Sequence, residues 1–221
     1  MEAAHDHRVP SLQGEKMNAI ACCLIIGICG VSGAGKTEIT KLLAERLGDA
    51  TTIHWDDYDS LPSYQEPEDY LAWFNSDKDY AAWKSPQLAK ALEKLKNIKS
   101  VKHPTEEKEQ LPSPIVIFAA PLGYEHTETG KFIDFLVFID VPADILLIRR
   151  LQRDHLNGNP VDPQKINEEL DYYSKFSRPL YLDTDRAKNS ADLVLDGTLP
   201  KNEIVEKILG ATAQLRKEKG A

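Results

Sequence analysis

Residues 24–47 read LIIGICGVSGAGKTEITKLLAERL. The apolar run Leu24–Cys29 stops at Gly30. Gly30-Val31-Ser32-Gly33-Ala34-Gly35-Lys36-Thr37 then fits G-x-x-x-x-G-K-[ST], the Walker A pattern. Beyond it, Ile39, Leu42, Leu43 and Leu47 recur at helical spacing and form one apolar stripe. The motif therefore lies between a buried strand and a helix, where its mechanism requires it. The glycines let the backbone wrap a phosphate closely. Loop N–H groups and the helix N-terminus offer partial positive charge to oxyanions. Lys36 can reach the β- and γ-phosphates, and the Thr37 hydroxyl can ligate Mg²⁺. Residues 30 and 32–37 are thus candidate nucleotide-binding positions.

The chain of 221 residues suits one α/β unit with a sizeable core. Its net charge of −8 argues against non-specific binding to nucleic acid or an anionic membrane. Cys22, Cys23 and Cys29 have no zinc-site spacing and read as buried reduced thiols, which fits a cytoplasmic protein. Ala19–Cys29 runs straight into the loop, so it reads as the first strand and not as a signal-peptide core. Residues 1–18 lack periodicity and are expected to form a disordered tail, with His5 and His7 solvated in it. A single domain is expected over 19–221.

Apolar runs predict further strands at Thr51–Trp55, Ile115–Ala120, Phe135–Ile139 and Leu193–Leu195. Helical periodicity marks the stretch after Pro86, the segment from Pro142 to about His155, a segment from Pro163 to about Phe176, and Lys201–Lys217. Residues 58–85, rich in aromatics and acids, read as a long functional loop with short helices. Lys99–Pro114 reads as an exposed connection, with a hairpin left open within it. Residues 154–163, containing Asn157-Gly158-Asn159-Pro160, read as a lid. Alternating strands and helices predict a parallel sheet covered on both faces, a three-layer sandwich with ligands at the carboxyl ends of its strands. Gly30, Asp56, Ala120 and Asp140 lie at such ends.

Phosphoryl transfer needs a group to orient or deprotonate an acceptor, a metal shell, and positive charge on the moving phosphoryl. Asp56 and Asp57 suit the first two, although either could simply cap a helix. Arg150 and Arg153, three apart on one helix face, suit bidentate contact with phosphate oxygens. A solvated basic face is the plainer alternative. Neither the guanine-specific Asn-Lys-x-Asp of GTPases nor an ABC signature occurs in a suitable place.

Several features follow one order: the Walker A loop, Trp55-Asp56-Asp57-Tyr58, Asp140-Val141-Pro142-Ala143-Asp144, Arg149-Arg150-x-x-Arg153-Asp154, Arg178-Pro179, and Ala191–Leu195. In that order the chain resembles the uridine kinase-like P-loop kinases, over about residues 22–198. That group includes uridine–cytidine, nicotinamide riboside, phosphoribulose and pantothenate kinases. The resemblance implies transfer of the ATP γ-phosphoryl, with Mg²⁺, to a hydroxyl of a small molecule, usually a ribose 5′-hydroxyl. It implies Asp56 as catalytic aspartate and metal ligand, with Lys36 and Arg153 assisting and Arg150 on the nucleotide. It places Asp57, Tyr58 and Trp83 on the acceptor side. Members often pair, which leaves a homo-oligomer open. The group carries Glu-Gly after the third strand, where this chain has Ala119-Ala120. Glu125 is a nearby carboxylate that would substitute if its loop folds back. Two other readings stand beside the nucleoside kinase: an ATP-binding protein without turnover, and a kinase of another alcohol such as a vitamin or sugar.

Overall fold

The computed structural model describes residues 23–157 and 160–218. The expected tail over residues 1–18 and Cys22 lie outside them. Strand β1 (Leu24–Cys29) is followed by α1 (Lys36–Leu47), β2 (Thr51–His54), α2 (Tyr70–Asn75) and α3 (Pro86–Lys96). A short hairpin, β3 (Val101–Lys102) and β4 (Glu109–Gln110), precedes β5 (Ile115–Ala119), α4 (Thr127–Gly130) and β6 (Phe135–Asp140). Helices α5 (Ala143–Leu151), α6 (Pro163–Tyr172), α7 (Arg178–Leu182) and α8 (Asp185–Ser190) lead to β7 (Leu193–Asp196) and α9 (Lys201–Glu218).

Five strands form one parallel sheet in the order β2-β5-β1-β6-β7. β1 lies in the middle, with Ile26 opposite Ile117 on one side and Phe135 on the other. Alternate residues of β1 serve opposite faces, as the period-two geometry of a strand requires. Ile25 joins Ile53, Phe118, Leu136 and the α3 residues Leu88, Leu92 and Leu95. Ile26 and Ile28 join Ile39 and Leu43 of α1 and Ile204, Val205 and Ile208 of α9. Both faces are therefore covered, and the apolar runs seen in the sequence follow from that. The architecture is the α/β three-layer P-loop sandwich expected from the sequence.

Two segments depart from the sequence reading. The stretch 99–114 is not a plain connection: its middle pairs as the antiparallel hairpin β3–β4, with Val101 opposite Gln110. The hairpin is tied to the edge strand β2, because the Gln110 amide donates to the Thr52 carbonyl at 2.9 Å and the Thr51 hydroxyl to the Leu111 carbonyl at 2.7 Å. The helix expected to reach His155 leaves α geometry after Leu151 and continues as a π-turn, Gln152–Leu156. A second π-turn, Tyr173–Ser177, joins α6 to α7. Such turns insert a residue into the helical ladder and occur often at functional sites. Within the expected lid, α6 starts at Pro163. Asp162 caps it by accepting from the Gln164 N–H at 3.0 Å. Among the described residues, no helix is long and apolar enough to cross a membrane.

Candidate active site

The loop between β1 and α1 has the backbone its sequence demands. Gly30, Gly33 and Gly35 have φ of +148°, +91° and +90°, conformations open to glycine and strained for other residues. A Cβ on Gly33 would meet the Leu146 carbonyl oxygen at 2.9 Å, so the loop lies directly against α5. A Cβ on Gly35 would meet nothing within 4 Å. That leaves open space beside the start of α1, as a phosphate cradle needs. Ala34 is buried beneath the loop.

The Lys36 ammonium donates to the carbonyls of Gly30 at 2.9 Å and Val31 at 3.2 Å, folded onto its own loop. Burial holds its pKa below the ordinary lysine value, and Arg153 adds to the depression. The Cys29 thiol and the Asp56 carboxylate oppose it. Lys36, Asp56 and Arg153 thus share one electrostatic field, although the start of α1, the turn after β2 and the π-turn after α5 supply them separately. Thr37, on the first turn of α1, is exposed. Cys29 is buried and its thiol is pushed up to about 11, chiefly by desolvation, which leaves it chemically quiet.

Asp56, Asp57 and Tyr58 follow β2 in a 3₁₀ turn and its cap, and they face three ways. Asp56 is exposed. The Asp57 Oδ2 faces the His103 Nε2 at 3.2 Å. His103 Nδ1 accepts the Glu106 N–H at 3.1 Å, which makes Nε2–H the donor to Asp57. Tyr58 is buried in the core with Trp55, and its hydroxyl, pushed up to about 12 mainly by burial, finds no partner. Of the acceptor-side residues named from the sequence, only Trp83 lines the cleft beside the loop; Asp57 and Tyr58 do not.

The arginines separate as well. The Arg149 guanidinium donates to the Gly197 carbonyl at 3.0 Å and secures the turn after β7. Arg150 lays its stem against Gly33 and its guanidinium on the Tyr181 hydroxyl. It also lies 3.0 Å from Glu169 of α6. Glu169 holds His155 at 2.5 Å, so one carboxylate of α6 joins the arginine to the π-turn after α5. Tyr181 also hydrogen-bonds Ser32 of the loop. Arg153 makes a two-pronged contact with its neighbour Asp154 at 2.6 and 2.9 Å.

Beside the loop opens a cleft of about 230 Å³. Gly30, Val31 and Ser32 form one wall, and Tyr70, Trp73, Phe74, Tyr80 and Trp83 another. Trp73 meets Trp83 edge to face at 4.5 Å, and His126 donates to the Trp83 carbonyl at 3.1 Å from beneath. Glu125 reaches this cleft because its loop folds back after β5. Sequence reasoning raised Glu125 but missed His103, Glu169 and Tyr181, as well as Arg186, which pairs with Glu125; the roles of all four depend on partners far away in the chain.

The donor set fits a magnesium nucleotide. Among the described residues no cluster of three or more His, Cys, Asp or Glu side chains could cage a metal ion alone. Mg²⁺ is commonly bound through one or two carboxylates plus substrate phosphates; Thr37 follows Lys36 on the first turn of α1, and the Asp56 carboxylate acts on the Lys36 ammonium.

A family model described as "AAA domain" matches residues 26–170, more than half of the chain. The uridine kinase of Chlamydia pneumoniae is 29% identical over 199 residues, covering 82% of this chain and 85% of its own. That of Serratia proteamaculans (strain 568) is 28% identical over 205 residues, with 86% and 93% covered. Among solved structures, a gluconokinase from Sinorhizobium meliloti 1021 aligns with a TM-score of 0.48 at 19% identity, over 88% of this chain and 94% of that one. The chain belongs to the AAA-domain family of P-loop proteins, and its sequence is similar to those of uridine kinases.

Proposed function

We propose that the protein is an ATP-dependent kinase that transfers the γ-phosphoryl group to a hydroxyl of a small molecule, with a nucleoside as the acceptor. The observation that carries this reading is the common field of Lys36, Asp56 and Arg153 at the carboxyl end of the sheet, next to the aromatic cleft. The uridine kinases related in sequence support the nucleoside. The Gly30–Thr37 loop wraps the phosphates, and Lys36 exchanges two loop carbonyls for phosphate oxygens. Asp56 orients the acceptor hydroxyl and takes its proton as the new O–P bond forms and the bond to the β–γ bridging oxygen breaks. Arg153 exchanges Asp154 for the transferring phosphoryl, and Arg150 steadies the chain of phosphates. Thr37 and Asp56 would hold Mg²⁺ together with the nucleotide, and the ion would supply charge neutralisation there.

A second reading, nucleotide binding without turnover, is favoured by one feature: Ala119 and Ala120 are buried at the end of β5 and offer no carboxylate there. The two readings separate in one experiment. ATP consumption is followed with and without a panel of nucleosides, with products identified by mass. Steady product formation that vanishes in Asp56→Ala supports the kinase. Tight ATP binding with no product from any acceptor sinks it.

A further inference from the structure

The acceptor cleft carries only two charged lining residues among those described, Glu125 and Asp183, and both are acids. Each is gripped from outside the lining. Arg186 of α8 pairs with Glu125 Oε2, and Lys78 pairs with Asp183 Oδ2. The Arg186 guanidinium in turn lies over the Tyr80 ring, 5.3 Å from its centroid. The cations therefore stand behind the carboxylates, and the cleft itself is lined by hydrogen-bond acceptors and aromatic rings.

Glu125 is the better placed of the two acids. Its side chain is 12% exposed. It shares the cleft wall with Gly30–Ser32, close to where the phosphoryl group must arrive. Arg186 occupies Oε2, and Oε1 makes no hydrogen bond among the described residues. Glu125 lines the cleft, so this oxygen is open to a donor on a bound acceptor. A pair of neighbouring hydroxyls fills that role well, because an ionised carboxylate accepts hydrogen bonds through both oxygens. An acceptor with its own negative charge would meet two carboxylates at short range and lose affinity.

Resting on the kinase reading, we propose that Glu125, held by Arg186, is a specificity-determining residue of the acceptor cleft. It selects uncharged acceptors by their vicinal hydroxyls and disfavours anionic ones. The rings of Tyr80 and Trp83, nearly parallel at 27° with centroids 5.9 Å apart, supply an apolar wall for the remainder of the acceptor.

The test measures binding, so that it stays separate from turnover. The full chain, saturated with a non-hydrolysable ATP analogue, is titrated calorimetrically with uridine, 2′,3′-dideoxyuridine and pantothenate. The parent should bind uridine about 10- to 100-fold more tightly than the dideoxy compound, as one charge-assisted hydrogen-bond set predicts, and should not bind pantothenate. Glu125→Gln should shrink that preference severalfold, and Glu125→Ala should erase it. Arg186→Met, which removes the guanidinium from Glu125, should reduce it as well and provides a second reading if the Glu125 variants do not fold. A preference unchanged in these variants overturns the proposal. So does parent binding of pantothenate at least as tight as that of uridine, or failure to bind uridine at all. Absence of product in the separate ATP assay, with the binding preference intact, would instead refute the kinase and leave the role of Glu125 standing.

Discussion

Gly33 and Gly35 hold almost the same backbone conformation, φ +91° and +90°, two residues apart on one loop. Alanine at either position costs about 1–2 kcal/mol for a side chain in the left-handed region. Their surroundings differ. At Gly35 the added Cβ meets nothing within 4 Å, so conformational strain is the whole cost. At Gly33 it would lie 2.9 Å from the Leu146 carbonyl oxygen and 3.4 Å from the Arg150 Cγ. The oxygen belongs to the backbone of α5 and cannot rotate away, so the helix must retreat. Overpacking of this kind costs about 1–3 kcal/mol more. Gly33→Ala should therefore lose about 2–5 kcal/mol and Gly35→Ala about 1–2 kcal/mol. Urea unfolding followed by circular dichroism, without nucleotide and with matched slopes, measures both. Repeating it with excess ATP adds a second axis. The stabilisation gained from ATP should shrink in Gly35→Ala, whose methyl enters the open space beside α1. Equal losses in the two variants would refute the claim that α5 packs on the loop at Gly33.

Other perturbations bear on neighbouring parts of the site. Lys36→Met should reduce phosphoryl transfer on the order of 10³-fold without lowering stability, since it removes a charge that burial disfavours; near-parental turnover would refute the role of Lys36. Arg153→Ala should lower kcat more than it raises the acceptor KM, and a change confined to KM would make it a pocket residue. His103→Ala should lower kcat about tenfold by releasing Asp57 and loosening the turn that bears Asp56. His103→Gln, which keeps a donor, should recover most of that loss, and equal defects in both would count against a positioning role. Burial holds the His126 and His54 imidazoles below their ordinary pKa. The unfolded chain then binds protons that the folded one refuses, so stability should be level above about pH 6.5 and fall as the pH drops, by up to about 1.4 kcal/mol per unit for each histidine. His126→Gln should flatten that slope in urea titrations, and an unchanged slope would show that other groups carry the acid sensitivity.

The sheet was legible because its strands are short apolar runs buried on both faces, and the helix periods of α1, α3 and α9 were unbroken. The hairpin β3–β4 was not, since two residues per strand leave no alternation to read. Helix α8 was missed because its sequence, DRAKNS, has no apolar stripe. Asp56, Asp57 and Tyr58 looked like one constellation in sequence. A 3₁₀ turn has three residues per revolution, so consecutive side chains point about 120° apart. One therefore faces solvent, one the hairpin and one the core. The arginines of α5 show the same limit: a run of like residues predicts a basic face, but the partners that divide it, Gly197, Tyr181, Glu169 and Asp154, come mostly from elements not adjacent in sequence.

The central place of β1 has a consequence for how the chain is made. Its neighbours on either side start at Ile115 and Phe135. The Ile25 N–H is met by the side chain of Asp134, 109 residues later. At ribosomal speeds of about 5–20 residues per second, the nascent β1 waits roughly 5–20 s for that partner. Throughout that interval an apolar segment stands with both edges unpaired, the condition that favours aggregation and chaperone capture. The loop it carries cannot be held in register before β5 and β6 emerge, so nucleotide cannot rescue the early chain and can act only on a sheet already assembled.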